Sequence, residues 1–274
     1  MTGCLGSDML KISRYEVRTD KLKKDSPPLC IAMLADLHDR LWGEGQSELL
    51  DAVDRLESDL VLCAGDMLLG GKLAETEHTV CLFRELVKRK APVICANGNH
   101  ESRMRLRKEV YGDQYEQYTK KLLDLGVCVL VDETREISWG EASILVHGYE
   151  LPLEYYRKLG QPHFEPEELT RVFGAAREDA FHILLAHNPV FFDAYAAWGA
   201  DLTLSGHLHG GIVRLPGLGA LITPQARLFP RYSRGLYLSN GKYMLVSAGL
   251  GEHTVPLRIN NPHQLISITV RGMA

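Results

Sequence analysis

The chain has 274 residues, 45% of them hydrophobic and 24% charged, the composition of an ordinary soluble globular protein with ample material for a core. A formal net charge of −4 excludes general affinity for nucleic acid, which needs a basic footprint. No apolar run approaches the ~20 residues of a spanning helix, and Cys4, Cys30, Cys63, Cys81, Cys95 and Cys128 form no C-x-x-C pair and follow no signal-peptide pattern. Reduced thiols and a cytoplasmic location are expected.

Residues 1–28 are polar, with a strand signal at Leu10–Arg18 and a lysine-rich turn ending in Pro27-Pro28, read as an edge strand and its connection. Leu29 opens a short continuous apolar run, the pattern of a strand buried on both faces, which stops at Asp36-Leu37-His38-Asp39. A helical pattern follows at Ser47–Leu56, with Leu49, Leu50, Val53 and Leu56 on one face. Then come a strand at Asp59–Ala64, a helix over about Glu75–Lys90, a strand at Pro92–Ala96 and a long charged helix over Glu101–Leu125 with a break signal at Gly112. Val127–Val131, Glu136–Ser138 and Ala142–His147 read as strands, and Leu151–Asp179 as helical and loop-rich. Strands at Phe181–Ala186 and Asp201–Ser205 enclose a helix at Pro189–Trp198. Gly210–Arg234 is rich in Gly and Pro, and strands at Lys242–Ser247 and Gln264–Val270 close the chain. This succession of βα units implies sheets with a substantial parallel part under helical cover. There is no repeat or linker, so one domain over 1–274 is expected.

The strand ends carry the chemistry. After Asp36 and His38, the following strands end in Gly65-Asp66, Asn97-Gly98-Asn99-His100-Glu101, His187-Asn188-Pro189 and Gly206-His207-Leu208-His209. In open α/β sheets the carboxyl ends of strands are where ligands bind. In an extended backbone Asp36 and His38 would point to one side, able to reach one ion together. Asp, His and Asn beside glycines at five strand ends point to a shared metal site.

The order D-x-H, G-D, G-N-H-E, H and G-H-x-H resembles the calcineurin-like metallophosphoesterase superfamily, over Ile31 to His209. Val213-Arg214-Leu215-Pro216-Gly217 after Gly210-Gly211 is similar to a bacterial branch that includes lipid-A-pathway pyrophosphatases and related phosphodiesterases. The resemblance implies a four-layer α/β/β/α sandwich of two mixed sheets flanked by helices, with a dinuclear centre at one edge. Carried over, Asp36, His38 and His209 would bind one metal, Asn99, His187 and His207 the second, and Asp66 would bridge them. Imidazole and oxygen ligands suit two divalent ions of Mn, Fe, Zn or Ni. Two such ions ~3.5–4 Å apart can hold a hydroxide and clamp a phosphoryl oxygen for in-line attack.

The resemblance makes His100 the general acid for the leaving oxygen, with a second-shell role as the alternative. Many relatives carry an acidic residue three positions after the bridging Asp, paired with this histidine; here that position is Leu69, with Glu101 or Asp39 as substitutes to be tested. The run Arg103, Arg105, Arg107, Lys108 is either a solvated helix face or a guide for anionic substrate or acidic lipid. Arg227, Arg231 and Arg234 are similar candidates, His253 could fall near the metals, and Leu215–Ile222 reads as an apolar lid. The expected activity is hydrolysis of a phosphoric diester or pyrophosphate, lipid- or nucleotide-linked, with a phosphomonoester as the second choice and a non-catalytic metal-binding scaffold as the rival of another class. Peripheral contact with the inner face of an acidic membrane is a further expectation. The oligomeric state stays open.

Overall fold

The computed structural model describes residues 9–71, 74–157, 160–215, 219–223, 228–252 and 257–273. Its short apolar runs become the central strands of two sheets. β1 (Leu10–Thr19), β2 (Leu29–Leu34), β3 (Leu60–Ala64), β4 (Val93–Ala96), β5 (Cys128–Leu130) and the returning β14 (His263–Gly272) form one sheet, ordered β1-β14-β2-β3-β4-β5. β2 to β5 run parallel, and β14 is antiparallel to β2. β6 (Glu133–Trp139), β7 (Ala142–Tyr149), β8 (Ala180–Ala186), β9 (Leu202–Ser205), β12 (Gly235–Ser239) and β13 (Lys242–Val246) form the other, ordered β12-β13-β9-β8-β7-β6. Its centre, β7-β8-β9-β13, is parallel and its edges are antiparallel hairpins. β10 (Val213–Leu215) and β11 (Gly219–Ile222) pair as a separate small ribbon.

Side chains of a strand alternate between its faces, and the core is sorted accordingly. Ile31, Met33, Leu60, Leu62 and Ile94 meet Ile144, Val146, Phe181, Ile183, Leu202 and Leu204 between the sheets. Their neighbours Ala32, Leu34, Val61, Cys63, Val93 and Cys95 face outward under α1 (Ser47–Asp54), α2 (Glu77–Leu86) and α5 (Gln114–Asp124). On the far side Tyr149, Leu184 and Ala186 pack under α6 (Pro166–Phe173) and α7 (Phe192–Trp198) through Leu169, Tyr195 and Trp198. These are the four layers expected.

Two elements depart from expectation. The charged helix is three pieces, α3 (Asn99–Leu106), α4 (Lys108–Tyr111) and α5. The break at Gly112 has φ +60, which glycine supplies without strain; a second break at Arg107 has no local sequence cause. β12 was hidden immediately after the Gly/Pro-rich segment, where Leu236 and Leu238 face solvent on an edge strand. Its hairpin to β13 turns at Asn240-Gly241, both at positive φ, the residues a tight two-residue hairpin demands.

Candidate metal centre

The candidate ligands sit where the chain leaves β2, β3, β4, β8 and β9, and it leaves them abruptly. Asp36 and His38 have φ of +51, Asp66 +52, His207 +71 and His209 +48. A left-handed residue with a side chain costs roughly 1–2 kcal/mol, though Asp and His tolerate the region better than most. The backbone at Asp36–His38 is therefore not extended. It is laced to its neighbours instead: Asp36 N–H donates to Gly65 O, His38 N–H to Asp66 O, and Gly251 N–H to Asp36 O. Leu37 is nonetheless buried and both side chains reach one cluster. Glycine is needed where loops meet carboxylates. A Cβ on Gly98 would stand 2.2 Å from Asp66 Oδ1, and one on Gly206 2.4 Å from Asp36 Oδ2.

The ligand-type atoms converge. Asp36, His38 and His209 form one group, Asp66, His187 and His207 a second, and His38, Asp66 and His100 a third, each with donor atoms within 4.8 Å of one another. His187 Nδ1 is 2.7 Å from Ala64 O, to which it donates, which fixes the tautomer and bares Nε2. That Nε2 lies 3.0 Å from Asp66 Oδ2 and 3.6 Å from Asp36 Oδ1 without hydrogen-bond geometry. His209 Nε2 is 3.4 Å from Asp36 Oδ1 and 3.0 Å from His38 Nε2. Both carboxylates are anchored by backbone: Asp36 accepts from His207 N–H at 3.0 Å and Asp66 from His100 N–H at 2.8 Å.

These residues fit a bound cation. The side-chain oxygen of Asn99, buried at the first turn of α3, has no hydrogen-bond partner among the described residues, an arrangement that ordinarily costs ~1–3 kcal/mol. Burial, reinforced by the Asp66 charge, pushes the Asp36 carboxyl up to about 7. Against its own burial, His187 is raised to about 10 by Asp66 and Asp36. The buried carboxylates thus call for a positive charge, which a proton on His187 supplies and which a divalent ion would supply in its place.

His100 is in reach of the cluster, with Nε2 4.0 Å from Asp66 Oδ2. Its Nδ1 accepts the Gly70 N–H at 3.0 Å, so the neutral ring carries its proton on Nε2, the nitrogen nearer the cluster. Burial and the nearby Arg103 lower its pKa against the pull of Asp66. Leu69 is 48% exposed, and neither substitute stands in for a carboxylate there. Glu101 turns back to accept the N–H groups of Asp66, Met67, Leu68 and Gly98, holding the bridging loop. Burial and the Asp66 charge push Glu101 up to about 7 against backbone donors that include Gly98 and Leu68. Asp39 accepts the Thr79 N–H at the start of α2.

The basic run divides. Arg105 pairs with Glu150 and Lys108 with Glu116, Arg107 is exposed, and Arg103 is half-buried beside the cluster. Arg231 does not join the site: it is 71% exposed, pairs with Asp193 at 2.7 Å and lies over Tyr232. Arg234 reaches Asn261. His253 and Arg227 lie outside the described residues, as does part of the apolar lid, whose described ends form the β10–β11 ribbon.

Sequence reasoning missed three supporting residues. Tyr156, on the turn after β7, sets its ring edge-on to His207 with centroids 4.9 Å apart. Glu150, immediately beyond β7, accepts from Asn97, Ser102 and Arg105 and so braces the Asn97–Asn99 loop; it was findable as one more acid beside a strand end. Buried Arg258 donates to Ala248 O and stands 3.1 Å from His209 Nδ1, with no sequence signal to mark it.

Two mixed sheets face to face, helices outside and a carboxylate–imidazole cluster at the strand ends define the class, a metallophosphoesterase. The model of the calcineurin-like phosphoesterase family matches residues 30–211, and the chain belongs to that family of phosphoester hydrolases. It is similar to an uncharacterized metallophosphoesterase of Aquifex aeolicus, 27% identical over 96% of this chain and 92% of that one. It is also similar to the metallophosphoesterase YkuE of Bacillus subtilis, 24% identical over 96% of this chain and 86% of the relative. Among solved structures, the sulfate thiohydrolase SoxB of Thermus thermophilus shares the fold, with a TM-score of 0.52, 16% identity and coverage of 83% of this chain. The chain spans 53% of that structure's length.

Proposed function

We propose that the chain hydrolyses a phosphoric diester or pyrophosphate with two divalent transition-metal ions, chosen from Mn, Fe, Zn and Ni. Asp36, His38 and His209 would hold one ion, Asn99, His187 and His207 the other, with Asp66 shared. The observation that carries the reading is the overlap of the cluster's groups at Asp66, beside the partnerless oxygen of Asn99. Such a pair of ions, when bound, polarises the phosphoryl oxygens and makes a nucleophile of water at neutral pH. Protonated as imidazolium, His100 would pass its Nε2 proton to the leaving oxygen as the bond from phosphorus to that oxygen breaks and be left neutral; the neutral ring, which accepts the Gly70 N–H at Nδ1, only hydrogen-bonds that oxygen. Glu101 and Glu150 hold the loops that carry Asp66 and Asn99. A metal-dependent screen of bis(4-nitrophenyl) phosphate, a dialkyl pyrophosphate and 4-nitrophenyl phosphate tests this. Faster turnover of the monoester would replace the diester reading with its alternative, and no metal-dependent turnover would leave the scaffold reading.

A second reading, peripheral contact with acidic lipid, is favoured by Leu228 and Phe229, 66% and 61% exposed beside the small ribbon. Among the described residues no helix is long and apolar enough to cross a membrane, so contact would rest on such side chains and on exposed cations such as Arg107. Sedimentation with anionic liposomes, lost in Leu228→Ser/Phe229→Ser, is the expected result; no sedimentation at low salt removes the reading.

A further inference from the structure

Near the cluster most cations are already committed. Arg40 pairs with Glu252, Arg105 with Glu150, and Arg258 donates to the carbonyls of Ala248 and Gly251. Arg103 differs. It makes no hydrogen bond or ion pair with any described residue, yet it is half-buried rather than free in solvent. Asn99 and Arg103 are four apart on α3 and so share a face, the one turned to the site. The start of α3 is thus a wall of the cluster that carries Asn99, His100 and Arg103, with His100 Nε2 4.0 Å from Asp66 Oδ2. Leu69, which precedes the Gly70 whose N–H His100 accepts, carries no charge.

We infer that Arg103 is a specificity-determining residue, which takes a second anionic group carried on the leaving side of the substrate. The inference rests on the reading of the cluster as a phosphoesterase site. The oxygens of the scissile phosphoryl group would already be served by the ions. What remains is the leaving side, where His100 presents Nε2 with the Gly70 amide behind it. Arg103 brings a fixed positive charge there. A half-exposed guanidinium stabilises a fleeting partial charge poorly because water screens it, whereas a fixed phosphate or carboxylate can engage its fork bidentately. Substrates with a phosphate or carboxylate beyond the scissile bond fit such a wall; those with a neutral leaving arm leave Arg103 unused.

The test separates the subsite from the reaction. Wild type, Arg103→Met and Arg103→Lys, each checked for unchanged thermal unfolding, are titrated calorimetrically with methylenediphosphonate and with methylphosphonate at constant free Mn. The first probe resists hydrolysis and carries a second anionic group; the second carries one. In Arg103→Met the affinity for methylenediphosphonate should fall about tenfold more than that for methylphosphonate, with Arg103→Lys between. Equal falls, no fall, or no preference for methylenediphosphonate in wild type would overturn the inference. Metal-dependent hydrolysis of bis(4-nitrophenyl) phosphate by wild type is measured in parallel. Its absence counts against the phosphoesterase reading, and the calorimetry still decides on Arg103.

Discussion

Two of the places where the protein buries histidines are built on opposite principles. In the cluster, imidazoles face two carboxylates, the backbone is left-handed at Asp36, His38, Asp66, His207 and His209, and the Asn99 oxygen is left without a partner. Under α6 and α7, in mid-strand, His147 and His182 lie ring to ring, and every nitrogen is spoken for. His182 Nε2 is 2.9 Å from Arg177 O, His147 Nε2 is 2.9 Å from His182 Nδ1, and Thr134 Oγ1 is 2.8 Å from His147 Nδ1. A carbonyl can only accept, so the chain runs one way: His182 donates to Arg177, His147 to His182, Thr134 to His147. Phe173 and Trp198 wall the pair. Burial of histidine therefore does not mark a site. Carboxylate company, strained backbone and an unmet acceptor do, because each has a cost that a bound cation can offset.

The largest effect that would break this contrast is at Asp66. Asp66→Ala should reduce metal-dependent hydrolysis by about 10³-fold or more, because one carboxylate serves both ions. It should also abolish any rise in Tm on adding Mn. Retention of that rise would mean the cluster does not need its shared ligand.

His100→Ala should cost about 10²-fold on an alkyl diester, whose alkoxide needs a proton, and far less on an aryl diester. The comparison is kcat/KM on both substrates at fixed metal loading. Equal losses would make His100 an orienting group instead. Leu69→Asp should raise the alkyl rate by placing a carboxylate near the imidazole.

The His147–His182 pair should matter to stability and not to turnover. Burial, with a smaller contribution from His182, lowers His147 to about 3. The unfolded chain, with an ordinary histidine near 6.5, binds a proton that the folded one refuses. Stability is therefore full above pH ~6.5 and lost as pH falls toward 3, by about 2 kcal/mol at pH 5. His147→Gln should be less stable at pH 7 but should lose less between pH 7 and 5 than wild type, read by urea unfolding. An identical acid slope in both proteins would remove His147 from the account.

The smallest substitution, a single methyl, is Gly98→Ala. It would press on Asp66 Oδ1 and on the Asp66 backbone nitrogen, costing about 3 kcal/mol or more and weakening metal binding even where the fold survives. Thermal unfolding with and without Mn measures both.

The sheets were legible because their strands are continuous apolar runs, and Leu29–Leu34 and Phe181–Ala186 could hardly be anything else. The cluster was legible because Asp, His and Asn recur where those runs stop. What the sequence hid depends on direction. Glu101 looked like a partner for His100 until its carboxylate was seen to face the Asp66–Leu68 amides. Asp36 and His38 reach one cluster, but through left-handed turns held by neighbouring loops, which spacing alone cannot reveal. Arg105 and Lys108 read as half of a basic guide; Glu150, the partner of Arg105, is remote in sequence, and Glu116, the partner of Lys108, lies on the next helix beyond the break at Gly112. Edge strand β12 escaped because its leucines face outward.

The central claim is that the strand-end cluster holds two ions through one shared carboxylate. Elemental analysis after reconstitution with Mn and gel filtration, run on wild type and Asp66→Ala together, tests it most directly. The account predicts close to two ions per chain in wild type and a clear loss in the variant. No bound metal in wild type, or an unchanged count in Asp66→Ala, would contradict it.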